Sequence, residues 1–208
     1  MTRLSYSTIN ELYSCRQSWL NKLMGLEKYD TGFFKEGREA HRVIQDHVSG
    51  KMKDGRLYRD GVDILPQFSV VEEVDYDPRL KFEVKYGPEY SLMGYMDGKD
   101  EPGGRMLEIK TASVPWSPRK LQESMQWRFY ALCNPWIKEV YLVTCTRDLQ
   151  NVKVMHTEVT PKDIIVVKKW IDEAISIIEL GDFTSKECKS CFYINCPCPG
   201  CKNIRRYG

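Results

Sequence analysis

The chain of 208 residues, 42% hydrophobic and 29% charged, is long enough to bury a core, and this composition excludes a disordered chain. Its formal net charge of +2 excludes a whole-molecule attraction to polyanions, so a nucleic acid would have to be met by a local patch. No apolar run approaches the roughly 20 residues of a membrane span, and Met1-Thr2-Arg3-Leu4-Ser5-Tyr6-Ser7 lacks the apolar stretch of a signal peptide, so a cytoplasmic protein without a membrane partner is expected.

In chain order, residues 8–24 have a helical period, with Ile9, Leu12, Tyr13, Leu20, Leu23 and Met24 on one stripe and Thr8 and Glu11 spaced as a capping box. Cys15 falls inside this helix, where a lone cysteine reads as a small buried hydrophobe. A second helix is expected over 33–48, apolar at Ala40, Val43, Ile44 and Val48, with Arg38, His41 and Gln45 sharing another face. The polar, glycine-containing stretch from Gly50 to Pro66 reads as a loop. Alternation then predicts a meander of strands at 67–75, 80–86, 91–98 and 104–110. Ser117-Pro118 starts a helix running to about Cys133, with Leu121, Met125, Phe129 and Leu132 as its buried stripe and Gln122, Gln126 and Tyr130 in a polar row beside it. Strands at 138–146 and 151–159 follow, and a helix from Pro161 to Leu180, started by Thr160 and ended by Gly181. This order predicts a single α/β domain over 1–181, a central mixed sheet flanked by helices, with a Cys-rich metal-binding tail at 182–208.

The last two strands of the meander carry the chemistry. Gly94-Tyr95-Met96-Asp97 ends one strand, and Glu108-Ile109-Lys110 lies on the next, beyond a Glu101-Pro102-Gly103-Gly104 turn. Side chains on a strand alternate, so Glu108 and Lys110 share a face while Ile109 points into the core. Two carboxylates brought together repel unless a cation lies between them, and hard oxygen donors select Mg2+ or Mn2+. A lysine beside that ion could position water or steady charge at phosphorus. Arg119 and Lys120, with Lys202, Arg205 and Arg206, are candidate contributors to a patch for a polyanion.

The tail brings Cys188, Cys191, Cys196, Cys198 and Cys201 within fourteen residues. Thiolates so close converge on a soft ion at little loop-closure cost. Two CxxC pairs would satisfy a tetrahedral Zn2+, whereas an iron–sulfur cluster could take three ligands here and a fourth from elsewhere.

Taken together, these ordered motifs resemble the PD-(D/E)XK (restriction-endonuclease-like) nuclease superfamily, in its RecB-like and Cas4-like branch, over almost the whole chain. Ser5-x-Ser7 through Cys15 looks like the family's first helix, and Gly37-Arg38-Glu39-Ala40-His41 like its glycine-to-histidine motif. Gly94-Tyr95-Met96-Asp97 looks like its aspartate motif, Glu108-Ile109-Lys110 like its E-x-K, and Gln126-x3-Tyr130 like its QxxxY. The resemblance implies that His41, Asp97, Glu108 and the Ile109 carbonyl bind Mg2+ or Mn2+. It further implies that Lys110 orients or activates the attacking water, and that Gln126 and Tyr130 contact DNA or steady Lys110. Some relatives hold a [4Fe–4S] cluster between the first helix and the C-terminus, which here implies Cys15, Cys188, Cys191 and Cys196. Cys198 or Cys201 is the alternative last ligand, and Cys15-Arg16 stands where relatives commonly have Cys-Pro.

The function so implied is metal-dependent hydrolysis of DNA phosphodiesters, as an exonuclease on single strands or ends. Recombination, repair and CRISPR adaptation are the settings the family offers, with a helicase, recombination or CRISPR protein as partner, since no P-loop of the GxxxxGK[ST] kind is present to drive unwinding. The alternatives are a nucleic-acid-binding adaptor that keeps the fold and works through a partner, and a zinc protein whose tail is the functional part.

Overall fold

The computed structural model describes residues 1–25, 32–48, 68–70, 80–181 and 183. The Gly50–Pro66 loop, most of the strand expected at 67–75, and the five tail cysteines lie outside the described residues.

The fold is mixed α/β, with two mixed sheets and helices packed on them. The smaller sheet places β1 (Thr2–Ser5) parallel to β4 (Tyr90–Tyr95), which pairs antiparallel with β3 (Lys81–Tyr86). The larger has the order β2 (Ser69–Val70), β5 (Gly98–Asp100), β6 (Arg105–Ala112), β7 (Glu139–Thr146), β8 (Val152–Glu158), antiparallel throughout except for the parallel pair β6–β7.

The expected central sheet is therefore divided, and the expected strand 91–98 is broken at Asp97. The Met96 N–H still reaches Leu80 O at 3.1 Å, but the next carboxylate turns to the backbone of β6 instead of continuing the ladder. Gly98 then lets the chain cross closely, since a Cβ there would lie 3.1 Å from Leu107 and 3.2 Å from Phe68.

Two expected helices are also divided. In place of one helix over 8–24 there are α1 (Tyr6–Ser14) and α2 (Arg16–Leu23), separated by an extended Cys15 that is 2% exposed. The start is not a Thr8/Glu11 box: the Ser5 hydroxyl accepts from Thr8 N at 3.2 Å, while Glu11 turns forward to accept from the Ser18 hydroxyl at 2.9 Å. After α3 (Gly32–Val48), the helix expected from Pro118 splits at Ser124 into α4 (Pro118–Glu123) and α5 (Met125–Cys133), and the Ser124 hydroxyl caps Gln126 N at 3.3 Å. The row Gln122, Gln126, Tyr130 is thereby cut: Gln122 is exposed, whereas Gln126 and Tyr130 turn inward. The last helix, α6 (Pro161–Leu180), matches expectation, with a Thr160/Asp163 capping box and a left-handed Gly181 at its end.

Two cores follow from the alternation on β6. Met106, on one face, joins Leu4, Ile9, Leu92, Phe129 and Ile171, between the sheets and α1, α5 and α6. Leu107 and Ile109, on the other, pack with Ile44 and Val48 of α3 and with Phe68, Val143 and Val152. No helix among the described residues is long and apolar enough to cross a membrane.

Candidate active site

The polar residues gather at the seam where β4 leaves one sheet and β6 runs through the other. Asp97 sits in the gap between β4 and β5, and its Oδ2 accepts the Ile109 backbone N–H at 2.7 Å. The same oxygen lies 3.3 Å from His41 Nε2, carried in by α3. Thr111 anchors that helix to β6, its hydroxyl donating to Gly37 O at 3.2 Å.

Glu108 and Lys110, two apart on β6, share the face opposite Ile109, as alternation requires. Lys110 Nζ donates to Glu108 Oε1 and, at 2.8 Å, to Gln126 Oε1. Gln126 Nε2 donates to the same Glu108 oxygen at 2.6 Å and reaches the Tyr130 hydroxyl at 3.1 Å. One amide thus fixes the carboxylate, the ammonium and the phenol together. Gly94 permits this closeness from β4: a Cβ would stand 2.6 Å from the Phe82 ring and 3.0 Å from the Tyr130 ring.

Access is uneven. The Glu108 side chain is 5% exposed and Asp97 11%, but His41 and Lys110 reach 20% and 22%, so solvent enters over the histidine and the lysine.

The charges are set by burial and by one another. Burial raises the Glu108 carboxyl to about 7, and the Asp97 charge adds to that against the pull of Lys110. Burial also pushes Asp97 upward, but His41, Lys110 and the Ile109 N–H outweigh it and hold the carboxyl below its usual range. For His41, burial disfavours the charged form and is overcome by Asp97 and Glu108, which raise its pKa. Lys110 is likewise raised, burial being outweighed by Glu108 and Asp97, so it stays an ammonium. Tyr130 is held neutral by burial beside both carboxylates.

The donors present fit a hard divalent ion in kind: two carboxylates, an imidazole and a backbone carbonyl next to them. Glu108 Oε2 is buried with no hydrogen-bond partner among the described residues, the state of an oxygen left for a cation. Yet no three His, Cys, Asp or Glu side chains among the described residues stand together as a ready ligand group. Lys110 and Gln126 hold Glu108 Oε1, and His41 and the Ile109 N–H hold Asp97 Oδ2.

Other expected residues fall differently. Gln45, on the polar row with His41, is 1% exposed, and neither amide atom has a hydrogen-bond partner among the described residues. Arg119 is exposed and pairs with Glu123 at 2.7 Å, while Lys120 lies over Trp116. Tyr6 is a residue the sequence did not single out: its pKa is raised by burial, against Lys110, with Glu108 adding to the rise, which puts the phenol in the field of the site. Its place beside the Ser5 cap was the available signal, and an aromatic at a helix start is otherwise ordinary.

No protein-family model matches the chain, and no curated protein matches it significantly. Solved structures do resemble it. The crystal structure of SSO0001 aligns over 85% of this chain and 77% of its own, with TM-score 0.52 and 14% identity. LHK-Exo in complex with dAMP aligns over 86% of this chain and 88% of its own, with TM-score 0.51 and 11% identity. At these identities the likeness is one of fold: this chain shares a mixed α/β architecture with both structures.

Proposed function

We propose that the chain is a Mg2+- or Mn2+-dependent deoxyribonuclease of the RecB-like and Cas4-like kind, acting as an exonuclease on single strands or DNA ends. The observation that carries this reading is the convergence of His41, Asp97, Glu108, Lys110, Gln126 and Tyr130 at one seam, with Glu108 Oε2 buried and unpartnered among the described residues. LHK-Exo, an exonuclease by name, was solved with a deoxynucleotide, and its likeness in fold supports the same direction.

His41, Asp97, Glu108 and the Ile109 carbonyl would hold the ion, which when bound supplies Lewis-acid neutralisation of a phosphate and a lowered pKa for water. Lys110 does the rest of the electrostatic work. Beside both carboxylates, it would orient or activate the attacking water and balance charge growing at phosphorus. Gln126 keeps that ammonium in place, and Tyr130 remains a neutral hydrogen-bonding group.

The tail is assigned a [4Fe–4S] cluster held by Cys15, Cys188, Cys191 and Cys196, with Cys198 or Cys201 as the alternative last ligand. Cys15 is a free, buried thiol, and Trp19, one turn further on, stacks on Phe183 at 5.1 Å, so the start of the tail meets the first helices. Visible absorption by anaerobically purified protein supports the cluster, whereas a colourless protein that contains zinc supports the Zn2+ tail instead.

A second reading, a DNA-binding adaptor without hydrolysis, is favoured by the absence of a ready three-donor ligand group among the described residues. A cleavage assay on end-labelled single and double strands with Mg2+ or Mn2+ separates the two. Labelling either end also gives the polarity.

A further inference from the structure

The segment that leaves β6, Ser113-Val114-Pro115-Trp116, keeps its apolar side chains near the surface. Val114 is 72% exposed, and Trp116 is half-buried, packed against the main core but still partly open to solvent. The backbone at Trp116 is nevertheless fixed. Its N–H donates at 2.9 Å to the hydroxyl of Thr144, which is fully buried on β7 directly opposite Lys110 in the parallel ladder. The indole is thereby tied to the same rung as the lysine of the candidate active site.

Two ammonium groups approach that ring. Lys110 Nζ lies 5.9 Å and Lys120 Nζ 4.5 Å from its centroid. Lys110 is also the most exposed of the four charged groups at the seam, so Trp116 borders the side from which a substrate enters. Among the described residues no carboxylate forms an ion pair with Lys120, which leaves its charge available to a phosphate.

We propose that Trp116 is a stacking platform for an unpaired nucleobase next to the phosphate held at Lys110, and that Lys120 receives a phosphate of the same nucleotide. This rests on the nuclease reading above and supplies its substrate preference. Stacking on an aromatic ring tolerates any base because each has a π face, but a base inside a duplex has both faces covered. An exposed ammonium–ring contact is roughly two- to threefold weaker than a base–aromatic stack, so an arriving base displaces Lys120 from the ring toward the backbone phosphate. The site therefore selects single strands or frayed ends.

The test is equilibrium binding of fluorescent oligodeoxynucleotides in EDTA, where no turnover interferes, with wild type, Trp116→Ala, Trp116→Phe and Trp116→Leu. The probes are a single strand, its duplex, and single strands carrying one abasic residue at each successive position. Wild type is expected to bind the single strand more tightly than the duplex and to lose about 5- to 150-fold at one abasic position, the size of one lost stack. Trp116→Ala and Trp116→Leu should bind the intact strand with that same loss and feel no further effect of the abasic residue, while Trp116→Phe keeps most of the affinity. A flat abasic scan with wild type overturns the platform, and so does undiminished binding by a folded Trp116→Ala. If wild type cleaves DNA in Mn2+ and the scan is flat, the platform alone falls. If wild type neither binds nor cleaves any strand, both readings fall.

Discussion

Gln126 Nε2 donates to Glu108 Oε1 at 2.6 Å while its own carbonyl accepts from Lys110 at 2.8 Å, so one neutral side chain holds the acid and the ammonium of the site in fixed relation. Gln126→Ala removes both contacts and leaves Lys110 tethered only to Glu108 among the described residues. Misplaced electrostatic donors typically cost about 10²–10³ in turnover, and a loss of that order is expected here with a modest change in KM. Gln126→Glu should do no better, because it adds a second carboxylate beside Glu108. Steady-state kinetics of both variants checks this; an unchanged kcat for Gln126→Ala would remove Gln126 from the site.

Gly94 makes room for two aromatic rings. An alanine there would place its Cβ 2.6 Å from Phe82 and 3.0 Å from Tyr130, and both rings belong to the main core. Gly94→Ala should destabilise the fold by about 1–3 kcal/mol through overpacking, and should disturb the Tyr130–Gln126 contact with it. Denaturant melts measure the first effect, and residual cleavage by the folded fraction the second.

A pH effect follows from Glu108. Burial holds its carboxyl at about 7 against an ordinary 4.5, so the metal-free folded chain keeps a proton that the unfolded chain gives up. The sign is therefore that of a raised group: its contribution to stability is fully present below pH 4.5 and is lost as pH rises through about 7. His41, raised from 6.5, despite its burial, by its hydrogen bond to Asp97 and the charges of Asp97 and Glu108, acts in the same direction. Thermal melts in EDTA should fall between pH 5 and 8, Glu108→Gln should flatten that fall, and Mn2+ should stabilise wild type more at pH 8 than at pH 6. A Glu108→Gln profile parallel to wild type would contradict the assignment.

Asp163 links α5 to α6. Its Oδ1 accepts from Arg128 Nε at 2.7 Å, and its Oδ2 accepts from Thr160 N at 3.1 Å within the capping box. Burial pushes its carboxyl upward, but the Thr160 and Arg128 contacts prevail and lower it from 3.8. Asp163→Ala should cost about 1–3 kcal/mol, from the lost cap and the half-buried guanidinium left without its partner. Being a lowered group, Asp163 contributes stability above pH 3.8 that is lost as pH falls through its native value, so the difference between wild type and variant should shrink in acid.

The parts of the site legible in the sequence are those fixed by local periodicity. Alternation along 104–110 placed Glu108 and Lys110 on one face and Ile109 on the other, and the helical row put His41 on a polar side of α3. What was not legible depends on contacts distant in sequence. β1 is four residues long with only Leu4 buried, and its partner is β4, far along the chain. The breaks at Cys15 and Ser124 interrupt stripes that a continuous helix would also satisfy; Ser124 then caps α5 and so aims Gln126 and Tyr130 inward. The division of the sheet at Asp97 arises because that carboxylate bonds to Ile109, a tertiary contact with no local signature.

The most direct measurement is cleavage of end-labelled single-stranded DNA in Mn2+ by wild type, Asp97→Ala and Lys110→Ala, with folding of each variant checked by melting. Wild type is expected to release nucleotides, and both folded variants to lose this activity. Undiminished cleavage by both variants, or no cleavage by metal-loaded wild type, would contradict the nuclease reading.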